Sequence, residues 1–206
     1  MQAGSASPDG RRERSRRTRR RIVEAAYRSF AAGGYGVALA DIARDAGVSV
    51  QSIYVLFRNK HALVGDALQL AVLGDDEPTP PHRRPWFQGL VDAPDPRTAI
   101  AIWVDNTLPI YARVAPLAGM FLSEPAVADI WAGSEELRID GFREVMALVA
   151  AKGALRPGVD VGAAAESMFV ILGPLVYQEF VIGLGWPPDR WGAWATDVLT
   201  RALFEP

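Results

Sequence analysis

The chain has 206 residues, half of them hydrophobic, a length that suits one or two small domains with a real core. It contains no cysteine, which excludes disulfides, thiolate nucleophiles and cysteine-based zinc sites, and its two histidines, His61 and His82, match no short metal-binding spacing. The formal net charge of -2 hides a division: residues 1–60 carry 12 Arg/Lys against 5 Asp/Glu, and residues 61–206 carry 10 against 19, so the first segment alone points to a polyanionic partner.

Residues 1–12 read as a disordered tail, small and polar with Gly and Pro. The arginine run that follows is not a secretory signal, because Glu24 interrupts the apolar residues directly after Ile22-Val23. A helix begins within the run. Ile22, Ala26 and Phe30 fall on one of its faces, and Gly33-Gly34 ends it. Leu39 to Phe57 reads as two short helices divided by Gly47. Another helix starts at about Lys60, with Asn59 as its N-cap and Leu63, Ala67 and Leu70 as its apolar stripe. These elements form a domain over residues 13–73.

Residues 74–95 contain Pro78, Pro80, Pro81, Pro85 and Pro94 and read as a proline-rich loop, in which Trp86-Phe87 can pin the chain to a helical surface. From 96 to 206 the pattern is helical again. Asp95-Pro96 is a start signal, a cap followed by proline at the first helical position. The predicted spans are 96–113, 116–123, 124–132, 134–152, 160–184 and 188–204. Pro109 and Pro174 fall inside two of them, and each should bend or break its helix. No stretch alternates as a half-buried strand does. The apolar stretch from Ser167 to Tyr177 is too short to cross a bilayer. The expected fold is all-α with about nine to ten helices: a three-helix helix-turn-helix domain, then a helical domain over 96–206. The expected setting is the cytoplasm, with no membrane partner.

The segment from Leu39 to Phe57 carries the chemistry. Two helices that cross steeply need small or apolar residues where they touch. Ile42, Ala43 and Ala46 supply this face on the first, and Gly47 tolerates the positive φ of the sharp turn between them. Val48 plugs the turn and Ser49 can cap the second helix. Ile53 and Phe57, four apart, anchor that helix to the core. Its exposed face is left with Val50, Gln51, Ser52, Tyr54 and Val55.

With these residues in place the chain resembles the TetR family of transcription regulators over residues 17–70. The resemblance rests on Ile22, Ala26 and Phe30, the Gly34-Tyr35 turn, Asp41-Ile42-Ala43, Ala46-Gly47-Val48-Ser49, and Ile53-Tyr54-x-x-Phe57-x-x-Lys60-x-x-Leu63. It implies an operator-binding protein, most often a repressor released by a small molecule, with no cofactor, metal or catalytic residue. Joined with the chemistry of the side chains, it gives Gln51 a bidentate contact to adenine, Ser49 and Ser52 contacts to a base or phosphate, and Val50 and Val55 contacts to thymine methyls. Tyr54 and Lys60 become phosphate contacts that set register. Arg16, Arg17, Arg19, Arg20 and Arg21 supply backbone charge, with some entering the adjacent minor groove. The sequence departs from the family at Gly36-Val37-Ala38-Leu39-Ala40, which lacks the threonines that usually precede the second helix, so that helix should start without a side-chain cap. It also has Leu56 where histidine is frequent.

A short recognition helix reads few bases, so two copies spaced by a DNA turn are expected to act together on a palindromic double-stranded operator. The resemblance places the homodimer interface on the last two long helices, with Met168, Ile171, Leu175, Trp191, Trp194, Val198 and Ala202 as candidates. The same stripes would serve equally to bury core within one chain, since periodicity does not distinguish partners. Trp103, Asn106, Tyr111, Met120, Phe121, Trp131, Phe142, Met146 and Phe169 suit a cavity for a small hydrophobic or amphipathic ligand, with Asp105 a possible handle for a cation. An ordinary packed core has the same composition. Two other readings compete. One is a helical enzyme, for which no nucleophile motif, phosphate loop or metal spacing speaks. The other is a non-specific architectural DNA-binding protein, which would not need a large acidic second domain.

Overall fold

The computed structural model describes residues 8–74 and 83–205. Residues 1–7 of the expected tail and 75–82 of the expected loop lie outside the described residues. The chain divides into two compact units, Met1–Ala71 and Val72–Pro206. Among the described residues the only extended pairing is an isolated bridge between Leu155 and Phe204, so the protein is all-α, as expected.

The first unit is built on α1 (Pro8–Gly33), α2 (Leu39–Asp45), α3 (Val50–Phe57) and the start of α4 (Lys60–Leu73). α1 begins at Pro8, so residues 8–12 are helical rather than tail. Its stripe of Ile22, Ala26 and Phe30 is fully buried, and Gly34 ends it at φ 65. α2 has Ala38 at its N-cap position and no side-chain cap, as the missing hydroxyls foretold; a lost cap costs about 1 kcal/mol. Gly47 takes φ 63 at the turn, and Ser49 Oγ accepts the Ser52 amide at 3.2 Å to cap α3. Arg58 leaves α3 at φ 58, a region that disfavours L side chains. It delivers Asn59, whose Oδ1 caps α4 by accepting the Ala62 amide at 2.8 Å.

Two cations brace this unit. Lys60 directs its ammonium to the carbonyls of Tyr35 and Val37, the latter at 2.6 Å, and over the Tyr35 ring at 4.5 Å. Arg19 donates to Leu56 O at 3.0 Å, pairs with Asp66, and lies 4.4 Å over the Phe57 ring. Burial raises the Asp66 carboxyl above its usual range, and Arg19 counters that rise. Arg19 thus joins α1, the end of α3 and α4.

The second unit contains α5 (Pro85–Asp92), α6 (Pro96–Ser123), a 3-10 turn at Pro125–Val127, α7 (Ala128–Ala150), α8 (Val161–Ile171), α9 (Pro174–Tyr177), a π-helical turn at Gln178–Gly183 and α10 (Pro188–Leu203). α5 lies in what the prolines marked as loop. Pro85 is its first residue, where no backbone donor is needed, and the Trp86 ring meets Trp103 edge-on at 5.8 Å. Lys152 caps its far end on the carbonyls of Val91 and Ala93 at 2.6 and 2.9 Å. α6 is one helix of 28 residues where two were expected, and it runs through both Pro109 and Pro116. Pro109 is exposed, so the carbonyl its ring leaves unbonded can meet water. Pro174 instead breaks the chain between α8 and α9 after the buried Leu172-Gly173. α7 likewise replaces two predicted helices. The stretch Val161–Gly183 is long and apolar enough to cross a membrane, but this break divides it. α6 packs against α5, α7, α9 and α10, and α7 against α8.

Lys60→Ala is expected to destabilise the first unit by about 1.5–3 kcal/mol, the scale of hydrogen bonds from a charged group. Urea unfolding followed on an isolated 1–74 fragment, or on the full chain if the fragment does not fold, measures it. A change below about 0.5 kcal/mol counts against the brace.

Asp95 Oδ1 accepts the Thr98 amide at 2.8 Å to cap α6, and that bond holds its carboxyl below the usual carboxylate range. A depressed acid stabilises the fold above its unfolded pKa, near 3.9, and loses that contribution as pH falls through the lower folded value. Asp95→Ala is therefore expected to lower stability by about 1 kcal/mol at neutral pH. The difference from the parent should vanish as the medium is acidified below pH ~4, provided thermal melts remain reversible there.

Candidate nucleic-acid interface

Burial of Ile53 and Phe57, at 1% and 3% exposure, fixes which way α3 faces. Tyr54 and Val55 on the opposite side are 50% and 73% exposed, and Gln51 is exposed beside them. Val50 is half-buried. Ser52 is half-buried as well, its Oγ 2.9 Å from that of the exposed Ser49. Ser49 is therefore a cap first, and its hydroxyl is shared with its neighbour.

The expected basic contacts separate by what they already touch. Lys60 was expected to meet phosphate, but its ammonium is turned to two carbonyls. Arg19 is held by Leu56, Asp66 and Phe57. In the free chain both are turned inward, Lys60 to carbonyls of the turn between α1 and α2 and Arg19 to a carbonyl in the last turn of α3. Arg16 and Arg17 remain exposed and share the single carboxylate of Glu13 at 2.8 and 3.2 Å, leaving an excess of positive charge. Arg20 pairs with Glu24 at 2.8 Å, and Arg21 is exposed.

Three residues absent from the expectation complete the surface. Arg14, Ser15 and Thr18 of α1 face Gln51, Ser52, Val55 and Leu56 of α3 across an open groove of about 330 Å³. The signal for them was present. Continuing the Ile22, Ala26, Phe30 stripe backward by fours gives Thr18 and Arg14, because the face that is core further along α1 overhangs α3 at its start. Selecting arginines by charge rather than by phase missed it. The surface is a polar and cationic shelf with an exposed apolar edge, the composition that meets phosphates and base edges together.

In the second unit the expected ligand residues divide. Trp103, Tyr111, Phe142 and Met146 lie together in the main core, with Phe169 half-buried at its margin. Met120 and Phe121 are buried toward the far end of α6, where Phe121 stacks on Trp131 at 5.3 Å, outside that core. Asn106 is a correction: it is exposed and donates to Ile102 O at 2.8 Å, one turn back on its own helix. Asp105 is exposed beside it. Burial raises the Tyr111 hydroxyl to a pKa of about 12. Arg138, paired with Glu135 at 2.8 Å, donates to Phe169 O at 2.8 Å and lies 3.7 Å over the Phe169 ring.

The interface set also divides. Met168 and Trp191 are fully buried within the chain and cannot face a partner; both are corrections. The buried stripe of α10 runs Trp191, Ala195, Leu199, Leu203. Trp194, Val198 and Ala202 lie one position out of phase with it, and Ala202 is exposed. Ile171 is partly buried against the core, and Leu175 is 40% exposed. Val170, Ile182 and Leu184 are further apolar side chains at the surface, all more than half exposed.

Residues 22–67 match the model of "bacterial regulatory proteins, tetR family". No curated protein sequence matches significantly. Solved structures share the architecture over nearly the whole chain. NalD of Pseudomonas aeruginosa, the secondary repressor of the MexAB-OprM multidrug efflux pump, is 20% identical over 94% of this chain and 98% of its own, with TM-score 0.67. SmeT, solved with triclosan, is 20% identical over 91% and 92%, with TM-score 0.65. A protein of Saccharomonospora viridis assigned as a transcriptional regulator and solved with choline is 20% identical over 91% and 98%, with TM-score 0.63. At such identities the likeness concerns the fold. The matched segment runs from α1 through α2 and α3 into α4, and the chain as a whole shares its fold with solved structures that include a protein of Mesorhizobium loti assigned to the TetR family.

Proposed function

We propose that this protein is a sequence-specific, ligand-responsive transcription regulator, a cytoplasmic homodimer that represses from a palindromic operator and leaves it when a small molecule binds the second unit. One observation carries the reading: α3 buries Ile53 and Phe57 and turns Gln51, Tyr54 and Val55 to solvent beside the cationic start of α1. Gln51 reads adenine, Val55 meets a thymine methyl, and Tyr54, Arg14, Ser15 and Thr18 position the backbone. Arg16, Arg17 and Arg21 add charge that any duplex would feel.

The NalD and SmeT likenesses support repression and response to an apolar compound by analogy of fold. α4 runs unbroken from Lys60 to Leu73, from the first unit to the start of the second, and serves as the lever. The ligand shifts the equilibrium only by its differential affinity for two states of the dimer. Ile182, Leu184, Val170 and Leu175 supply apolar surface for the partner copy, an isologous patch in a two-fold dimer.

Footprinting and gel shifts on the DNA flanking the gene test the reading, with random duplex as competitor. Gln51→Ala is expected to cost roughly 1–3 kcal/mol at particular operator positions and to relax the preferred sequence there. An unchanged preference removes the base-reading role. Lys60→Ala is expected to leave the slope of log affinity against log salt unaltered, whereas loss of a phosphate contact would reduce that slope by about 1.

Leu175→Glu is expected to shift the protein toward monomer by on the order of tenfold or more in dissociation constant, because like charges would be buried together. Sedimentation equilibrium reads the shift, and operator affinity should fall with it. A variant that stays dimeric at the parent's concentrations removes Leu175 from the interface.

A further inference from the structure

The second unit has an almost wholly apolar interior. Among the described residues of the chain, the buried polar side chains other than aromatic ones are Thr107 and Thr196. Thr107 is spoken for by the Trp103 carbonyl at 2.8 Å. Two further donors lie inside without a well-formed hydrogen bond: the indole nitrogens of Trp103 on α6 and Trp191 on α10, in side chains 6% and 0% exposed. Tyr111 links them. Its ring meets the Trp191 ring edge-on at 5.6 Å, and the Trp103 N–H lies near enough to its hydroxyl to favour the phenolate without reaching hydrogen-bond geometry.

We propose that the two indole N–H groups flanking Tyr111 are the polar contacts of an effector site, and that its ligand is an uncharged apolar molecule bearing a hydrogen-bond acceptor such as a carbonyl or ether oxygen. This rests on the reading of the protein as a ligand-responsive regulator. The chemistry follows from the donors. An indole nitrogen donates and cannot accept, and buried donors are ordinarily paired, so the complement is an acceptor. A cation finds no buried carboxylate, since Asp105 is exposed. An anion finds Arg138 already paired with Glu135 and with α8 carbonyls. A hydrocarbon of equal shape leaves both donors unpaired, so the site discriminates by the acceptor more than by size. Entry must also open the packing of α6 on α10. These are close there: a Cβ on Gly192 would lie 3.1 Å from Leu108 and 3.2 Å from Val104. A ligand that pairs the donors only in the opened arrangement binds the two states unequally, which is what response requires.

The test uses the full chain and a matched pair of probes, 2-acetylnaphthalene and its hydrocarbon isostere 2-isopropenylnaphthalene, with choline as a cationic control. Titrations are read by tryptophan emission and by melting temperature. The ketone is expected to bind roughly tenfold or more tighter than the isostere, and choline not at all. Trp103→Phe and Trp191→Phe should each narrow that preference. Because either variant can also disturb packing, the indole 15N–1H resonances of the unmodified protein give a second measurement. The two signals missing from the variants' spectra should move downfield with the ketone and stay in place with the isostere. Equal affinity for the pair, preference for choline, no binding by any probe, or stationary resonances overturn the proposal. Operator binding is assayed separately. A protein that never selects a duplex but prefers the ketone contradicts the regulator reading alone. One that selects a duplex and ignores the acceptor contradicts only the site.

Discussion

The burial of Ile53 and Phe57 beneath the turn at Gly47 is the contact on which the first unit depends. α3 has eight residues, far too few for a helix to persist alone in water. Its conformation is borrowed from what it touches: the two anchors, the Ser49 cap, and the Arg19 side chain that closes its last carbonyls. Once that face is committed, the remaining face is determined by the geometry of a helix, and Gln51, Tyr54 and Val55 can only point outward. The outward surface follows from the inward packing.

The same constraint explains why cationic side chains in one short domain have different fates. Lys60 stands against carbonyls of the turn between α1 and α2, and Arg19 against a carbonyl in the last turn of α3, and a charged donor satisfies each at close range. The start of α2 has no side-chain cap, and Lys60 fixes the turn before it through that turn's carbonyls. Arg14, Arg16 and Arg17 lie nearer the start of α1, and the bonds they make are to Gly10 and Glu13 of the same helix. Basic charge in the first sixty residues is thus divided between holding the domain and presenting a surface, and net charge alone does not reveal the division.

Local rules were legible in the sequence wherever a single residue type has a single geometric consequence. Gly34 and Gly47 take positive φ, Ser49, Asn59 and Asp95 cap, and Pro96 opens a helix. What depends on three-dimensional surroundings was less legible. Pro109 and Pro174 look alike in sequence, yet one is carried within a helix exposed to water and the other divides α8 from α9. Trp191 and Trp194 both fit an apolar stripe on α10, but only the phase set by Ala195 and Leu199 decides which is core. Trp86 sits among prolines that suggest loop, and its packing on Trp103 makes the segment a helix. For the candidate DNA surface, residues on α3 were readable because the anchors define the phase within eight positions. Thr18 and Arg14 required carrying the phase of α1 two turns past its buried portion.

The two units handle polarity in opposite ways. The first leaves few charged groups idle near its core and recruits long side chains to its helix ends, which favours one rigid presentation of α3. The second packs aromatic rings around donors that have no partner, and each unpaired buried group costs roughly 1–3 kcal/mol. On the proposed reading, an opened arrangement in which an acceptor pairs those donors recovers that cost. The proposed regulator would use this asymmetry, since a core without unmet donors gives an acceptor-bearing molecule little to gain by entering. Stability withheld from the second unit is therefore consistent with a sensor, and stability concentrated at the ends of α3 with a reader of DNA.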